Sequence, residues 1–589
     1  LLPWCACMGA TFPFAMLAVR DRFPAQARHS FSYLYLANVI GAVAGAILPL
    51  FLIELFGFQR TLWIAAGLNA LLASTAFALT IGKSKLREDD AGDGPFTGER
   101  SAPNSAALWL LFATGLTSLG VEVIWTRLYT PSLGTFVYAF ATILAIYLAA
   151  TYAGSWFYRI HEKSEGPASG TFWAGLGSCA LLALVAADPR LRVSGGIRVL
   201  LGVGPFSALA GFATPMLVDL YSEGDPNLAG RAYAVNISGC VVGPLLAGFM
   251  LLPRLGERGG LCALAIPWLL FGFLAGRSGR RRSLHYVSVT ALAAGTVAVF
   301  GFTNTFESRF NPRIVRRDNT ATVIATGEGR DKRLLINGIG ITGLTPITKI
   351  MAHLPLAMLS YRPQSALVIC FGMGTSHLSA LSWGIHSTAV ELVPSVPALL
   401  SFFHPRSAVR SDSQLSRIVI DDGRAYLERT EKTFDVVVVD PPPPPEAAAS
   451  SLLYSKEFYA AVKRRLAPRG ILQQWLPGGD PATCASVARA LQESFPFVRV
   501  FRPFGLSGYH FLASMSSMDQ VSAGELAKRL PASASQDLLE WGPAPTAEQQ
   551  FEIMLRQEIL LQQLIAPAPG VPALTDDRPI NEYYFLRRR

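Results

Sequence analysis

Apolar blocks long enough to cross a bilayer, about 20 residues each, recur from the first residue to about Thr303 and then stop. Ten of them read as helices: 1–19, 31–56, 61–82, 106–126, 134–158, 170–187, 196–221, 232–253, 259–276 and 285–303. Only 16% of the 589 residues are charged, where a soluble chain carries about a quarter. The shortfall lies before Thr303. The expected architecture is therefore a polytopic α-helical membrane domain over 1–303, followed by a globular part. The latter divides into a small β element at 304–345, an α/β domain at 346–515 and a helical extension at 516–589.

Two blocks look alike. "YLANVIGAVAGAILPLFLIELFG" carries Asn38, Gly41 and Gly45, and "YAVNISGCVVGPLLAGFMLLPRLG" carries Asn236, Gly239 and Gly243 at the same spacing. Each is followed by another apolar block, which makes an internal repeat between 1–82 and 106–276. Parallel six-helix repeats build major-facilitator transporters. Three helices precede the second copy and are mostly missing before the first, so further helices are expected upstream. Small residues at this spacing let helices approach in lipid, which is the structural reading of these glycines. Glu122 and Arg127, five apart near one helix end, read as an interfacial ion pair rather than a transport site.

The net charge of +10 comes from scattered arginines. No basic stripe with interleaved aromatics appears, which argues against nucleic acid. Loops on one side of the expected bundle carry 14 Lys and Arg, and those on the other carry 7. The richer side should face the cytoplasm. The last block would then carry the globular part to the non-cytoplasmic face. Seven dispersed cysteines show neither zinc spacing nor a disulfide framework, so no metal is expected. The expected partners are the lipid bilayer and other membrane proteins.

After Thr303 the pattern changes to strands alternating with helices. "NTATVIATGEGRDKRLLINGIGITG" reads as two short strands around a turn. "ALVICFG", "STAVEL", "RIVIDD" and "FDVVVVD" read as four buried strands, and "LLYSKEFYAAVKRRLAPRG" as a helix ending near Gly470. Continuous apolar strands alternating with helices mean a doubly wound parallel sheet, Rossmann-like. Ligands in such sheets sit beyond the strands' carboxyl ends. There stand Gly372 and Gly374 after the first strand, Glu391 ending the second, Asp422 and Gly423 after the third, and Asp440 ending the fourth. An acid at Glu391's place suits ribose hydroxyls, and one at Asp422's place suits an adenine amino group.

This constellation resembles the spermidine synthase family within the class I S-adenosylmethionine-dependent transferase fold. The matching stretches are "INGIGITG", "MAHLPLAM" around His353, "DDGRAYL", "FDVVVVDPPPPP", "LYSKEFY" and "TDDRPINEYYF". The whole chain is similar to the bacterial membrane-fused branch, which implies a multi-pass protein of the inner membrane. The resemblance implies decarboxylated S-adenosylmethionine, or S-adenosylmethionine itself, as cofactor. It also implies an amine substrate, and Asp440 as the carboxylate that orients the amine and takes its proton. Three positions depart from the family: Met373 where its glycine loop carries an acid, Ile347 and Thr348 in place of a Tyr-Gln pair, and Pro443 in place of a second acid.

Three readings stay open: an aminopropyl- or methyltransferase with an unusual acceptor, a catalytically degenerate scaffold or accessory subunit, and a transporter with a sensing domain. The five prolines after Asp440 give no N–H and hold the chain extended. They make the acceptor loop stiff and apolar, with Glu446 the nearest acid.

Overall fold

The computed structural model describes residues 2–23, 30–81, 105–161, 169–275, 282–405, 414–440, 443–503 and 507–588. Parts of the charged loops used above for orientation, including 83–104, 162–168 and 277–281, lie outside them, as do Pro441 and Pro442.

The apolar blocks are helical. They form α1 (Leu2–Arg22), α2 (Ser30–Ile81), α3 (Ser105–Leu133), α4 (Val137–Ile160), α5 (Gly170–Ala187), α6 (Gly195–Ser222), α7 (Pro226–Leu246), α8 (Leu252–Ala275) and α9 (Arg282–Phe302). By length and composition, seven runs among the described residues are apolar enough to cross a membrane, with α2 and the α7–α8 run each counting once. Both of those runs turn at a glycine with non-helical backbone. Gly57 has φ 81 and ψ 176, and Gly256 has φ 66 and ψ −175. These two glycines close the two similar blocks. Gly256 lies one residue further from Asn236 than Gly57 does from Asn38. The π-helical turn Ala247–Leu251 lies in between, and such a turn absorbs one extra residue within a helix.

The small-residue faces differ between the two blocks. A side chain at Gly239 would meet the Phe112 carbonyl at 2.1 Å, and one at Gly243 the Leu116 carbonyl at 2.2 Å. Asn236 donates to the Leu111 carbonyl at 2.9 Å. Here close packing of α7 on α3 explains the glycines. Gly41 and Gly45 meet nothing within 4 Å. Glu122 and Arg127 do not pair: Arg127 turns away to the carbonyls of Asp318 and Asn319, at 2.9 and 3.0 Å.

Beyond α9 an antiparallel sheet, β1 (Arg313–Arg317), β2 (Thr322–Thr326), β3 (Arg333–Ile336) and β4 (Ile339–Gly343), runs in sequence order. This is four strands where two were expected. After α10 (Pro346–Met358) comes the main sheet. Its strands are β5 (Ser365–Ile369), β6 (His386–Glu391), β7 (Ser416–Ile420), β8 (Phe434–Val439), β9 (Leu466–Leu476), β10 (Phe497–Phe501), β11 (Tyr509–Ser514) and β12 (Glu558–Ile559), with α11 (Thr375–Leu381) after β5. The spatial order is β12-β10-β11-β9-β8-β5-β6-β7. Strands β5 to β9 pair in parallel, and β11 is antiparallel to both neighbours. This is a class I methyltransferase-like Rossmann fold. Val436 and Val438 enter one core and Val437 and Val439 the other, so burial on both faces explains the unbroken valine run.

The helix before β9 stops at Arg465, five residues short of Gly470, because β9 begins pairing with β8 at Leu466. The C-terminal extension is helical at Ala523–Arg529, Ala532–Leu539 and Ala547–Leu555, then adds β12 to the sheet edge. An ionic cluster pins it down. Asp537 takes Lys349 Nζ at 3.0 Å, His353 Nε2 at 2.9 Å and Ser379 Oγ at 2.7 Å. Trp383 donates to His353 Nδ1 at 2.9 Å, which leaves Nε2 as the donor to Asp537.

The C-terminal part docks on both glycine corners. At the first, Asp577 caps the helix restarting after Gly57, accepting from Phe58 N at 2.9 Å and Gln59 N at 2.7 Å. Leu586 and Arg587 N–H groups reach Glu54, and those of Tyr584 and Phe585 reach the Tyr138 hydroxyl. At the second corner, Thr322 donates to Glu257 at 2.6 Å and Arg317 lies over Gly256. A side chain at Gly57 would need a backbone region that is essentially glycine-only and would press on Asp577 at 2.8 Å. Gly57→Ala is expected to destabilise by about 2 kcal/mol. Gly41→Ala, which meets nothing, should be neutral or stabilising by up to about 1 kcal/mol. Thermal melts of the two variants side by side check this.

Candidate active site

Chain order reverses around β5, which lies between β6 and β8, so the crevice opens at the carboxyl ends of β5 and β8. Four of the expected segments converge there. After β5 the chain turns through Cys370, Gly372 and Gly374, all with positive φ, into α11. A side chain at Gly374 would strike Leu400 and Phe371 at 2.5 and 2.8 Å.

Glu391 ends β6 and folds back over this loop. Its Oε2 accepts from Phe371 N at 2.9 Å and Gly372 N at 3.3 Å, and its Oε1 from Val393 N at 2.9 Å. Burial pushes its carboxyl up, opposed by those backbone donors. With the Leu392 N–H acting on it as well, the carboxylate is largely occupied by its own backbone. Asp422 is exposed and caps the helix Gly423–Arg429 through Oδ1, accepting from Ala425 N at 2.8 Å. No hydrogen bond to its Oδ2 occurs among the described residues. A side chain at Gly423 would strike Ile369 at 2.4 Å. The open Oδ2 of Asp422 and the cleared glycine corners fit a nucleoside whose base lies toward Asp422.

Asp440 follows β8 and is 3% exposed. Its N–H still pairs with the Ile369 carbonyl at 3.0 Å, which holds it level with the glycine loop. Its Oδ2 lies 2.5 Å from Ser376 Oγ, in the first turn of α11. Burial raises the Asp440 carboxyl to about 7, against the lowering effect of that hydrogen bond. Ser376 Oγ also lies 2.9 Å from the Thr348 carbonyl. One hydroxyl has one proton. With Asp440 protonated, the acid donates to Ser376 and Ser376 to Thr348; with Asp440 ionised, Ser376 turns to the carboxylate. Asp435, the other acid of "FDVVVVD", sits at the far end of β8, where it accepts from Tyr361 and from the N–H groups of Gln364 and Ser365.

Sequence reasoning passed over Ser376 and Trp475. Ser376 stands in the first helical turn after the glycine loop, but a serine there carries no mark of its own in the sequence. Val439 pairs with Gln474, so Trp475 stands level with Asp440 one strand over. A cleft of about 250 Å³ lies there, walled by Ile341, Pro444, Pro445, Trp475 and Pro477, with Glu446 its one carboxylate. Its wall from Pro444 to Ser451 is anchored. Ala447 bridges to Phe136, and Ala448 N–H donates to the Thr135 carbonyl at 2.9 Å. Asn581 donates to the Pro445 carbonyl, and Glu582 accepts from Ala449 and Ser451 N–H.

The spermine/spermidine synthase domain model matches residues 346–495. The C-terminal part therefore contains a spermidine synthase-like domain. A polyamine aminopropyltransferase of Pseudomonas aeruginosa is 31% identical over 176 residues, covering 28% of this chain and 50% of that protein. One from Hyperthermus butylicus is 29% identical over 241 residues, covering 38% and 75%. One from Mycobacterium tuberculosis is 29% identical over 375 residues, covering 57% and 70%. The chain thus spans half the length of the first of these relatives. The third alignment is longer than everything after Thr303, so in that protein the likeness runs back from the spermidine synthase domain into the helices.

Proposed function

We propose that the chain is a nucleoside-sulfonium-dependent transferase, aminopropyl or methyl, anchored by its helices in a bacterial inner membrane. One observation carries the reading: a buried carboxyl, Asp440, stands at the switch point with a pKa of about 7. A base poised there takes a proton at neutral pH. In the proposed step an acceptor amine nitrogen bonds to the carbon beside the sulfonium. The carbon–sulfur bond breaks, its electron pair stays on sulfur as a thioether, and the amine proton passes to Asp440. The co-substrate supplies the activated carbon. Asp422 takes the nucleoside through its open Oδ2, and Glu391 shapes the glycine loop beneath it. The acceptor enters the cleft beside Trp475, whose ring and Glu446 suit a cation.

A catalytically inert scaffold is the second reading. Its support is the proline loop, anchored to Thr135 and Phe136 and unable to close as a lid while so paired. On the charge rule the domain lies outside the cytoplasm, since it packs on the Lys- and Arg-poor helix ends. A reporter fused after Arg589 tests that side.

Calorimetry on the full chain in detergent, with decarboxylated S-adenosylmethionine and with S-adenosylmethionine, tests the enzyme. Binding of either supports it. No heat with either, from a chain shown to be folded, removes the enzyme and leaves the scaffold.

A further inference from the structure

A cavity of about 420 Å³ lies at the joint between the helices and the β1–β4 sheet. Its walls are the ends of α3, α5, α8 and α9, with β1, β2 and the β3–β4 turn. Leu128, Leu184, Leu255 and Phe300 make the helical side apolar. The charged side chains in the wall do not balance. Arg317 engages both carboxylates, Glu307 at 2.5 Å and Glu257 at 3.5 Å. Arg127 directs its fork at two backbone carbonyls. Arg258 donates to the Thr303 hydroxyl at 3.2 Å and lies over the Phe300 ring at 4.2 Å. Neither Arg127 nor Arg258 has a carboxylate partner among the described residues. Arg258 Nε is buried without any acceptor among them.

We propose that this cavity binds a phosphate-type oxyanion and that Arg258 recognises it. A guanidinium fork matches an oxyanion in shape as well as charge. The volume lies in the range of small-molecule sites, about 300–1,000 Å³. The ends of four apolar helices are the level at which lipid headgroups meet a membrane protein, and a guanidinium there matches an anionic headgroup. Free phosphate and a phospholipid headgroup share this chemistry. An occupant touches helices and β sheet at once, so it stabilises the joint.

The test is the thermal stability of the full chain in detergent, alone and with phosphatidylglycerol, with inorganic phosphate, or with dioleoylglycerol, which has no phosphate. Phosphatidylglycerol is expected to raise Tm by about 3 °C or more. Arg258→Gln should lose most of that shift and Arg258→Lys should keep part of it. An equal rise with inorganic phosphate assigns a soluble source, and a rise with phosphatidylglycerol alone assigns a headgroup. An equal rise with dioleoylglycerol, an undiminished shift in Arg258→Gln, or no shift in any arm overturns the proposal.

Discussion

Asp440→Asn is expected to lower transfer by about 10²- to 10⁴-fold, the usual contribution of a positioned base, while making the protein more stable in alkali. Both effects come from one buried carboxyl. It titrates at about 7 in the fold and near 3.9 in an unfolded chain. A folded pKa above the unfolded one means that the fold favours the protonated form. That stabilisation is complete below about pH 4 and is lost as pH rises through about 7. At pH 8 the native protein holds a buried carboxylate whose hydrogen-bond partner is Ser376, and the asparagine variant holds no charge there. The variant's advantage should therefore grow by about 2–4 kcal/mol between pH 4 and pH 8. Activity of the native chain should rise with pH through about 7, as the base form appears. Denaturant melts at the two pH values, with turnover of a labelled co-substrate, give both readouts. A variant that keeps more than a tenth of the activity would rule out Asp440 as the base. One whose stability follows the native protein from pH 4 to 8 would contradict the burial of the charge.

Asp537→Ala should be the most destabilising single change in the C-terminal part, at about 3–5 kcal/mol, because it breaks a buried ion pair from one side. Lys349 is 2% exposed, and its other carboxylate partner, Glu540, is 59% exposed in its side chain. His353 Nε2 and Ser379 would lose their acceptor as well. Burial alone would raise the Asp537 carboxyl, but the hydrogen bond from His353, the charge of Lys349 and the Ser379 hydroxyl outweigh it and hold it well below the usual range. The sign is thus opposite to that of Asp440. The contribution is present above about pH 4 and is lost as pH falls below it. Acid should weaken the native protein more steeply than either Asp537→Ala or Asp537→Asn, since neither variant carries the carboxyl. Equal acid sensitivity in all three would show that this cluster does not govern the low-pH limb.

The alternation of strand and helix after Thr303 was legible because the central strands are buried on both faces, leaving an unbroken apolar run such as Val436–Val439, whereas β7, expected to be buried, is a half-exposed edge strand. Strand-end acids were legible for the same reason: a charge that stops such a run marks where the sheet meets solvent or ligand. Ser376 and Trp475 were hidden. A serine or tryptophan carries no such contrast, and only the pairing of β8 with β9 brings Trp475 level with Asp440. The ion pair expected of Glu122 and Arg127 failed because helical spacing describes neighbours along one helix. Arg127 had a better offer from carbonyls 191 and 192 residues away. The paired glycines were visible as a spacing, but their partners were not. The same motif packs closely on α3 in one copy and faces open space in the other.

The cap at Gly57 also sets an order in time. Asp577 is translated 518 residues after Gln59, whose N–H it receives. At about 5–20 residues per second, the helix that restarts at Gly57 waits roughly half a minute to two minutes for its cap. During that interval the corner has its helix-start N–H groups open to any passing carboxylate. The junction of helices and C-terminal part at this corner is therefore completed only when the last residues of the chain are made.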